Sequence, residues 1–171
     1  NSAPSPLAKG TETYVMGLDV SNASMAVAQR ENAVISLEDD YTEKYEGYDP
    51  DSPESFIIFS LMQNIFLNQS LSLASIVQGE FTNRVQRADR GVKQERFLVL
   101  YKSGMPSILV ELGFLTHPSE EQFLISSEGQ DLMASALFRA FRAYKESVEQ
   151  KITPSMIINP TPPLPPTVAS A

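Results

Sequence analysis

A carboxylic acid inside an apolar strand pattern constrains the fold of this sequence more than any other feature. Residues 107–114 read Ser-Ile-Leu-Val-Glu-Leu-Gly-Phe, and these aliphatic and β-branched side chains predict a buried strand that contains Glu111. Burying an unpaired carboxylate costs several kcal/mol, so the fold must provide a cationic partner, a metal ion or a cleft that reaches water. Gly113, just beyond the acid, permits close approach of another group.

Two explanations of Glu111 stay open at this level. The first is structural, because an ion pair with Arg90 or Lys93 would satisfy the carboxylate without any function. The second is functional, because burial raises the pKa of a carboxyl group, and such an acid in a cleft is suited to proton transfer. The pattern indicates a site but does not name its chemistry.

Composition excludes several classes of protein. The 171 residues carry 13 Lys and Arg against 21 Asp and Glu, a net charge of −8 that argues against nucleic acid as a partner. A hydrophobic content of 42% is too high for a wholly disordered chain, and the absence of Cys removes disulfides and thiolate metal sites. The length fits one domain with a tail.

No segment has the length of a membrane anchor. The longest apolar run, residues 56–67, is interrupted by Gln63 and Asn64 and is shorter than the roughly 20 residues that span a bilayer. The chain begins without Met, a basic segment or an apolar segment, so we expect any signal peptide to lie upstream of residue 1.

Periodicity and capping residues predict alternating strands and helices. The predicted strands are residues 11–18, 96–101 and 107–114. The predicted helices start at Ser21, at Ser52 with Pro53, near Leu71, and at Ser127 with its capping-box partner Gln130. In the helix from Leu71, which we expect to end near residues 89–91, the side chains predicted to face water are Gln78, Arg84, Gln86 and Arg87. In the last helix, the predicted apolar face is Met133, Leu137, Phe141, Tyr144 and Val148.

Composition also divides the chain into segments. Residues 38–54 are rich in Asp and Glu, with Lys44 as the sole basic residue and several interruptions by Pro and Gly, which predicts an exposed acidic loop. Residues 152–171 are rich in proline and predict an extended linker or tail, because proline lacks a backbone donor. We therefore expect one domain over residues 1–151.

Several segments, in this order, resemble bacterial zinc-dependent N-acetylmuramoyl-L-alanine amidases of the type 3 catalytic domain, over about residues 10–144. The segments are Lys-Gly-Thr-Glu-Thr-Tyr-Val at 9–15, Arg-Glu-Asn at 30–32, Arg-Gly-Val-Lys-Gln at 90–94, Phe-Leu-Val-Leu at 97–100 and Met-Pro-Ser-Ile-Leu-Val-Glu-Leu-Gly-Phe-Leu at 105–115. The resemblance implies an α/β fold, a twisted mixed sheet flanked by helices as in phosphorylase/hydrolase-like amidases. It also implies that residues 1–151 are the C-terminal part of the catalytic domain, truncated at its N-terminal side.

The resemblance implies a peptidoglycan hydrolase that cleaves the amide between N-acetylmuramic acid and the L-alanine of the stem peptide. Glu111 matches the catalytic glutamate of the family, which takes a proton from the attacking water and passes it to the departing amine. Glu31 also matches a family position, for which we expect a structural contact. Arg90 and Lys93 could pair with substrate carboxylates or with Glu111.

The cofactor implied by the resemblance is zinc, held by two His and one Glu. None of these three ligands is in the chain, so we expect them upstream of residue 1 and expect the fragment alone to be inactive. His117 is the only histidine and stands where relatives usually carry Asn. Since a catalytic zinc normally needs three protein ligands, we interpret His117 as a surface loop residue.

Residues 38–70 match a segment that covers the active site in related cell-division amidases until a protein activator displaces it. A carboxylate among Glu38, Glu43 and Glu46 could occupy the open metal position, although a solvated acidic loop explains the same composition. The implied setting is periplasmic or secreted and associated with the cell wall, in wall turnover, autolysis or cell separation. The Pro-rich tail could tether a wall-binding domain.

Two other classes of protein remain open. A non-catalytic peptidoglycan-binding or regulatory module could use the same fold without cleaving its ligand. An unrelated intracellular α/β protein could carry Glu111 for structural reasons alone. Upstream His, Glu and His residues on strand ends would favour the enzyme.

Overall fold

A computed structural model describes residues 2–17, 22–35, 53–101 and 103–152. Within these ranges the strands are β1 (Thr11–Met16), β2 (Asp89–Glu95) and β3 (Leu109–Glu111). The helices are α1 (Asn22–Ile35), α2 (Pro53–Val85), α3 (Leu98–Tyr101), α4 (Pro118–Ile125) and α5 (Ser127–Ile152). The predicted acidic loop falls largely on residues 36–52, and these residues, like the tail at 153–171, lie outside the described ranges.

The three strands form a mixed sheet in the order β2-β1-β3, with β1 parallel to β2 and antiparallel to β3. Helices cover both faces, which confirms the predicted α/β class. Side chains alternate along β1, so that Thr13 contacts Gln78 of α2 while Tyr14 packs on the opposite face with Phe97. The central strand is therefore buried on both sides.

Two apolar clusters fill the space on either side of the sheet. The first lies between α2, α5 and the sheet, and its buried members are Val77, Phe81, Met133, Ala136 and Ala140. The second lies beneath α1 and α3, and its buried members are Tyr14, Ala28, Phe97 and Leu100. Within it, the rings of Tyr14 and Phe97 meet edge to face with centroids 5.0 Å apart.

The strand predicted at residues 96–101 is wrong, because this segment forms the short helix α3. Phe97 and Leu100 are buried while Val99 is 59% exposed, a three-residue spacing that suits a helical turn. The strand lies just before it, at Asp89–Glu95, a segment that the hydrophobic pattern missed because it consists mostly of charged and polar residues. A short apolar run fits both the two-residue period of a strand and the 3.6-residue period of a helix, so it does not show by itself which of the two forms.

The helix predicted to start at Ser52 with Pro53 and the helix predicted from Leu71 are one continuous helix, α2. The residues between them are Asn-Gln-Ser, which contain neither Pro nor Gly to interrupt the backbone hydrogen bonds. The helix ends at Val85, earlier than predicted, where Gln86 adopts a φ of 58°. The Arg87 amide then donates to the Phe81 carbonyl, which satisfies one carbonyl of the last turn.

Two residues predicted to face water from the helix starting near Leu71 are instead buried (Gln78) or partly buried (Arg87). Gln78 is 3% exposed, and its amide group donates to the Thr11 carbonyl (2.9 Å) and to Asp89 Oδ1 (2.7 Å). Arg87 has a side chain that is only 11% exposed, and it pairs with Glu120. Both side chains contact polar partners on other elements, which the periodicity of a single helix cannot show.

Helix α5 starts as predicted, but its cap lies one residue earlier. Ser126 Oγ, not Ser127, accepts from the Gly129 amide (3.0 Å), and Gln130 Nε2 donates to the Leu124 carbonyl (3.1 Å). The face packed on α2 is built from Met133, Ala136 and Ala140, because small side chains allow the helices to approach closely. Phe141, predicted on the apolar face, is 58% exposed.

Candidate active site

Glu111 is the last residue of β3, where it lies opposite Glu12 of β1. Directly opposed residues of an antiparallel pair project from the same face of the sheet, so the two carboxylates are neighbours. Glu12 is 1% and Glu111 is 7% exposed. The strand pairing thus buries two acids side by side, and each requires its own stabilisation.

Glu12 is held by three donors. Arg90 Nε lies 2.8 Å from Glu12 Oε2, and Lys93 Nζ pairs with the same oxygen. The Tyr14 hydroxyl donates to Glu12 Oε1 at 2.8 Å. Arg90 and Lys93, considered from the sequence as partners of Glu111, therefore have their ion pairs with Glu12, a residue that the sequence analysis did not single out.

A bulge in β2 allows two cations to reach one carboxylate. Thr11 pairs with Asp89, but Thr13 pairs with Val92, so β2 contains one extra residue in this interval. Gly91 lies there with a φ of 84°, a conformation that suits glycine. The extra residue shifts the alternation of side chains, which places Arg90 and Lys93 on the face of Glu12.

The two acids have opposite shifts in pKa. Burial alone would raise the pKa of Glu12, but hydrogen bonds from Lys93, Arg90 and Tyr14 outweigh that effect and lower it. Burial raises the pKa of Glu111, and the nearby carboxylates of Glu31 and Glu12 act in the same direction. The fold therefore favours the charged form of Glu12, and it favours uptake of a proton by Glu111.

Aromatic rings complete the surroundings of the cations. The Arg90 guanidinium lies 4.8 Å from the centroid of the Phe114 ring, and Lys93 Nζ lies 5.6 Å from that of Tyr14. Burial, followed by the hydrogen bond to Glu12, raises the pKa of Tyr14 above its ordinary value. The phenol consequently stays protonated and continues to donate to Glu12.

Helix α1 brings two charged residues toward Glu111. The half-buried Glu31 raises the pKa of Glu111, whereas the positive charge of Arg30 lowers it. Asn32, one residue further, donates from Nδ2 to the Arg96 carbonyl (2.9 Å) and ties α1 to the segment that follows β2. The role predicted for Glu31, a structural contact, is not tested by these interactions.

Another buried acid, Glu120, anchors the loop after β3. Its Oε2 accepts from the amides of Gly10 (3.0 Å) and Phe114 (3.3 Å), and its Oε1 lies 2.6 Å from Arg87 Nη2. These contacts join the start of β1, the end of α2 and the segment after Glu111. Glu120 therefore supports the site without lying in it, and the sequence analysis missed this residue.

His117 lies in the turn before α4, where its Nδ1 is 3.0 Å from Ser119 Oγ. Within the part of the chain that the structure describes, no group of three or more His, Cys, Asp or Glu side chains could hold a metal ion. The described residues therefore do not form a zinc site by themselves. Glu38, Glu43 and Glu46 lie outside the described ranges.

The mixed sheet with helices on both faces defines an α/β scaffold. The buried acid at the end of β3 gives this scaffold a polar site. The chain belongs to the N-acetylmuramoyl-L-alanine amidase family, whose model matches residues 1–143. This finding confirms the family to which the sequence motifs pointed.

Individual relatives agree with this assignment. The chain is 27% identical over 141 residues to the N-acetylmuramoyl-L-alanine amidase AmiA of Escherichia coli K12, covering 81% of this chain and 47% of the relative. Its fold is similar to the crystal structure of an N-acetylmuramoyl-L-alanine amidase from Clostridium difficile 630, with a TM-score of 0.55 and 26% identity over 86% of this chain and 54% of that one.

A further similar fold is that of the CwlD amidase from Clostridioides difficile, solved in complex with the GerS lipoprotein. Its TM-score is 0.52 at 19% identity, over 86% of this chain and 51% of that one. The chain thus spans about half the length of these relatives. In the described ranges, none of the helices combines the length and apolar character needed to cross a membrane.

Proposed function

We propose that the complete protein is a peptidoglycan hydrolase that cleaves the amide between N-acetylmuramic acid and the L-alanine of the stem peptide. Membership of the amidase family supports this reaction. The observation that carries it is Glu111, a buried acid with a raised pKa at the end of β3. This environment suits a group that accepts and returns a proton within one catalytic cycle.

In the proposed mechanism Glu111 acts as general base and then as general acid. Its carboxylate takes a proton from the water that attacks the amide carbonyl, and it then donates that proton to the nitrogen of the departing L-alanine. The Glu12 cluster, defined as Glu12, Tyr14, Arg90 and Lys93, stays charged and hydrogen-bonded throughout. Glu111 is therefore the group we propose to exchange the proton.

The proposed cofactor is zinc, which when bound supplies a water of lowered pKa and polarises the carbonyl. Its proposed ligands are two His and one Glu upstream of residue 1. Membership of the amidase family supports the cofactor, and the chain spans about half of its relatives, which leaves room for the ligands in the rest of the protein. By the same reasoning, the isolated fragment should be inactive.

Regulation by the segment 38–70 is also part of the proposal. Glu38, Glu43 or Glu46 would block the site, and a protein activator would displace the segment. The complex of CwlD with GerS supports a protein partner for an amidase of this fold. The proposed location is the periplasm or cell surface, after removal of an upstream signal peptide, with roles in cell-wall turnover and cell separation.

The first test compares Glu111→Gln with Glu121→Gln in the protein that includes its upstream region. Gln keeps the shape of the side chain but cannot exchange the proton, so stem-peptide release from purified sacculi should fall by about 10²–10⁴-fold. Glu121 is exposed on α4, and its variant should retain wild-type activity.

Circular dichroism should show both variants folded, and a chelator should abolish release by the wild type. Retained cleavage by Glu111→Gln would remove this residue from the mechanism. Binding of sacculi by the wild type without any release would favour a non-catalytic wall-binding module instead.

A further inference from the structure

The position of Glu12 opposite Glu111 has a direct electrostatic consequence. Opposed residues in an antiparallel pair have Cβ atoms about 4.5–5.5 Å apart. The two side chains therefore start from neighbouring positions in a partly buried region, where the effective dielectric constant is below that of water and charges interact more strongly than in solvent. The charge on Glu12 therefore acts on the neighbouring acid in the direction that favours its protonated form.

Glu12 is also held rigidly. Its side chain is almost fully buried, and three donors on two strands occupy both of its oxygens. Two of those donors are cations, which keep the carboxylate ionised. A carboxylate that neither rotates nor protonates presents a constant negative charge at a constant place.

We propose that Glu12 is a positioning residue for Glu111, a fixed negative charge across the strand pair that keeps the Glu111 carboxyl group ready to take up a proton. The inference rests on the proposed function of Glu111. It assigns to the Glu12 cluster a role in the reaction, in place of a purely structural ion pair. Arg90 and Lys93 then act indirectly, by setting how much of the Glu12 charge reaches Glu111.

Other charged groups near Glu111 modulate this effect. The titratable and charged groups that act on it are Glu12 and Tyr14 on β1, Arg30 and Glu31 on α1, and the amino terminus of the chain. Burial raises the pKa of Glu111, and Glu31 and Glu12 raise it further, whereas the charges of the amino terminus and of Arg30 lower it. Removing the charge of Glu12 would leave Arg90 and Lys93 uncompensated, so Glu111 would lose its proton at lower pH.

The test measures kcat/KM against pH in the complete protein for the wild type, Glu12→Gln and Lys93→Met. The base form of Glu111 starts the reaction, so the acidic limb of the profile reports its ionisation. In Glu12→Gln this limb should move to lower pH, with rates on the limb, normalised to the plateau, roughly tenfold above wild type. In Lys93→Met the acidic limb should move to higher pH, because one of the two cations that offset the negative charge of Glu12 is then missing.

Opposite displacements in the two variants are the expected result. A uniform loss of rate at all pH values, with both limbs unmoved, would mean that the cluster is only structural and would overturn the proposal. If Glu12→Gln does not fold, the Glu111 carboxyl carbon can be titrated by NMR in the wild type and in Lys93→Met. The same titration midpoint for Glu111 in both proteins would overturn the proposal. Failure of the proposed function is distinguishable, because Glu111→Gln would then remain active.

Discussion

Glu12 and Glu111 carry the same functional group and share one face of the sheet, yet their surroundings shift their pKa values in opposite directions. Glu12 receives two cations and a phenol, whereas burial dominates at Glu111. An arrangement of this kind separates a permanent charge from a proton-exchanging group, which is how paired carboxylates acquire different roles. The identity of the residue alone does not determine its function.

Glu120 offers a prediction about stability at the level of a single residue. The residue is 5% exposed, and its carboxylate connects Arg87 with the amides of Gly10 and Phe114. Glu120→Gln should lower the free energy of unfolding by about 3–5 kcal/mol, because it leaves a buried guanidinium without its counter-charge. Urea denaturation of the complete protein measures this loss.

The matched control for this variant is Glu121→Gln. It removes an acid from the same first turn of α4, so any effect of the helix dipole is common to both changes. Since Glu121 is exposed, the control should change stability by no more than about 0.5 kcal/mol. Equal stabilities of the two variants would refute the structural role given to Glu120.

At the level of elements, the junction between α4 and α5 shows that backbone geometry determines which residue caps a helix. Ser126 and Ser127 are adjacent and chemically identical, but Ser126 Oγ is the oxygen that accepts from Gly129. Ser126 has extended backbone angles (φ −75°, ψ 143°), as an N-cap residue requires. We therefore expect the hydroxyl groups of these two serines to contribute differently to the stability of the protein, because the backbone angles of Ser126 allow the capping hydrogen bond.

This difference is testable by alanine substitution at each serine. Ser126→Ala should destabilise the protein by about 1 kcal/mol, because the Gly129 amide loses its acceptor. Ser127→Ala should have little effect. Thermal unfolding monitored by circular dichroism compares the two variants, and a larger loss for Ser127→Ala would restore the cap predicted from the sequence.

At the level of the whole molecule, the site combines residues that are far apart in the chain. Glu12 comes from β1, Arg90 and Lys93 from β2, and Glu111 from β3. α2 packs on the other face of the sheet, where Gln78 forms hydrogen bonds with Thr11 and Thr13. One face of the sheet therefore contacts α2, and the opposite face carries the candidate site.

The proposed regulatory segment also leads to a prediction at this scale. Deletion of residues 39–52 in the complete protein should raise basal release of stem peptides from sacculi, because the acidic side chains that we propose to block the site are reduced in number. The triple change of Glu38, Glu43 and Glu46 to Gln should have the same effect without shortening the chain. Unchanged basal activity in both variants would exclude autoinhibition by this segment.

Sequence reasoning was most successful where the pattern is local. The strand at β1, the start of α2 at Pro53 and the start of α5 followed from alternation, helical spacing and capping residues. It failed at β2, where a mostly charged and polar segment becomes a strand because it pairs with β1. Glu12 and Arg90 are separated in the sequence by α1 and the whole of α2, so no local pattern indicates that they pair.

By itself, the sequence determined the family, the α/β class and the presence of a buried acid at Glu111, because motif order, periodicity and the cost of burying a charge are properties of the chain. Only the tertiary structure decided which acid receives the cations of Arg90 and Lys93. That choice depends on strand register and on the bulge at Gly91, which places both cations on Glu12. Register is a contact between distant segments, and its electrostatic consequences arise only when those segments meet.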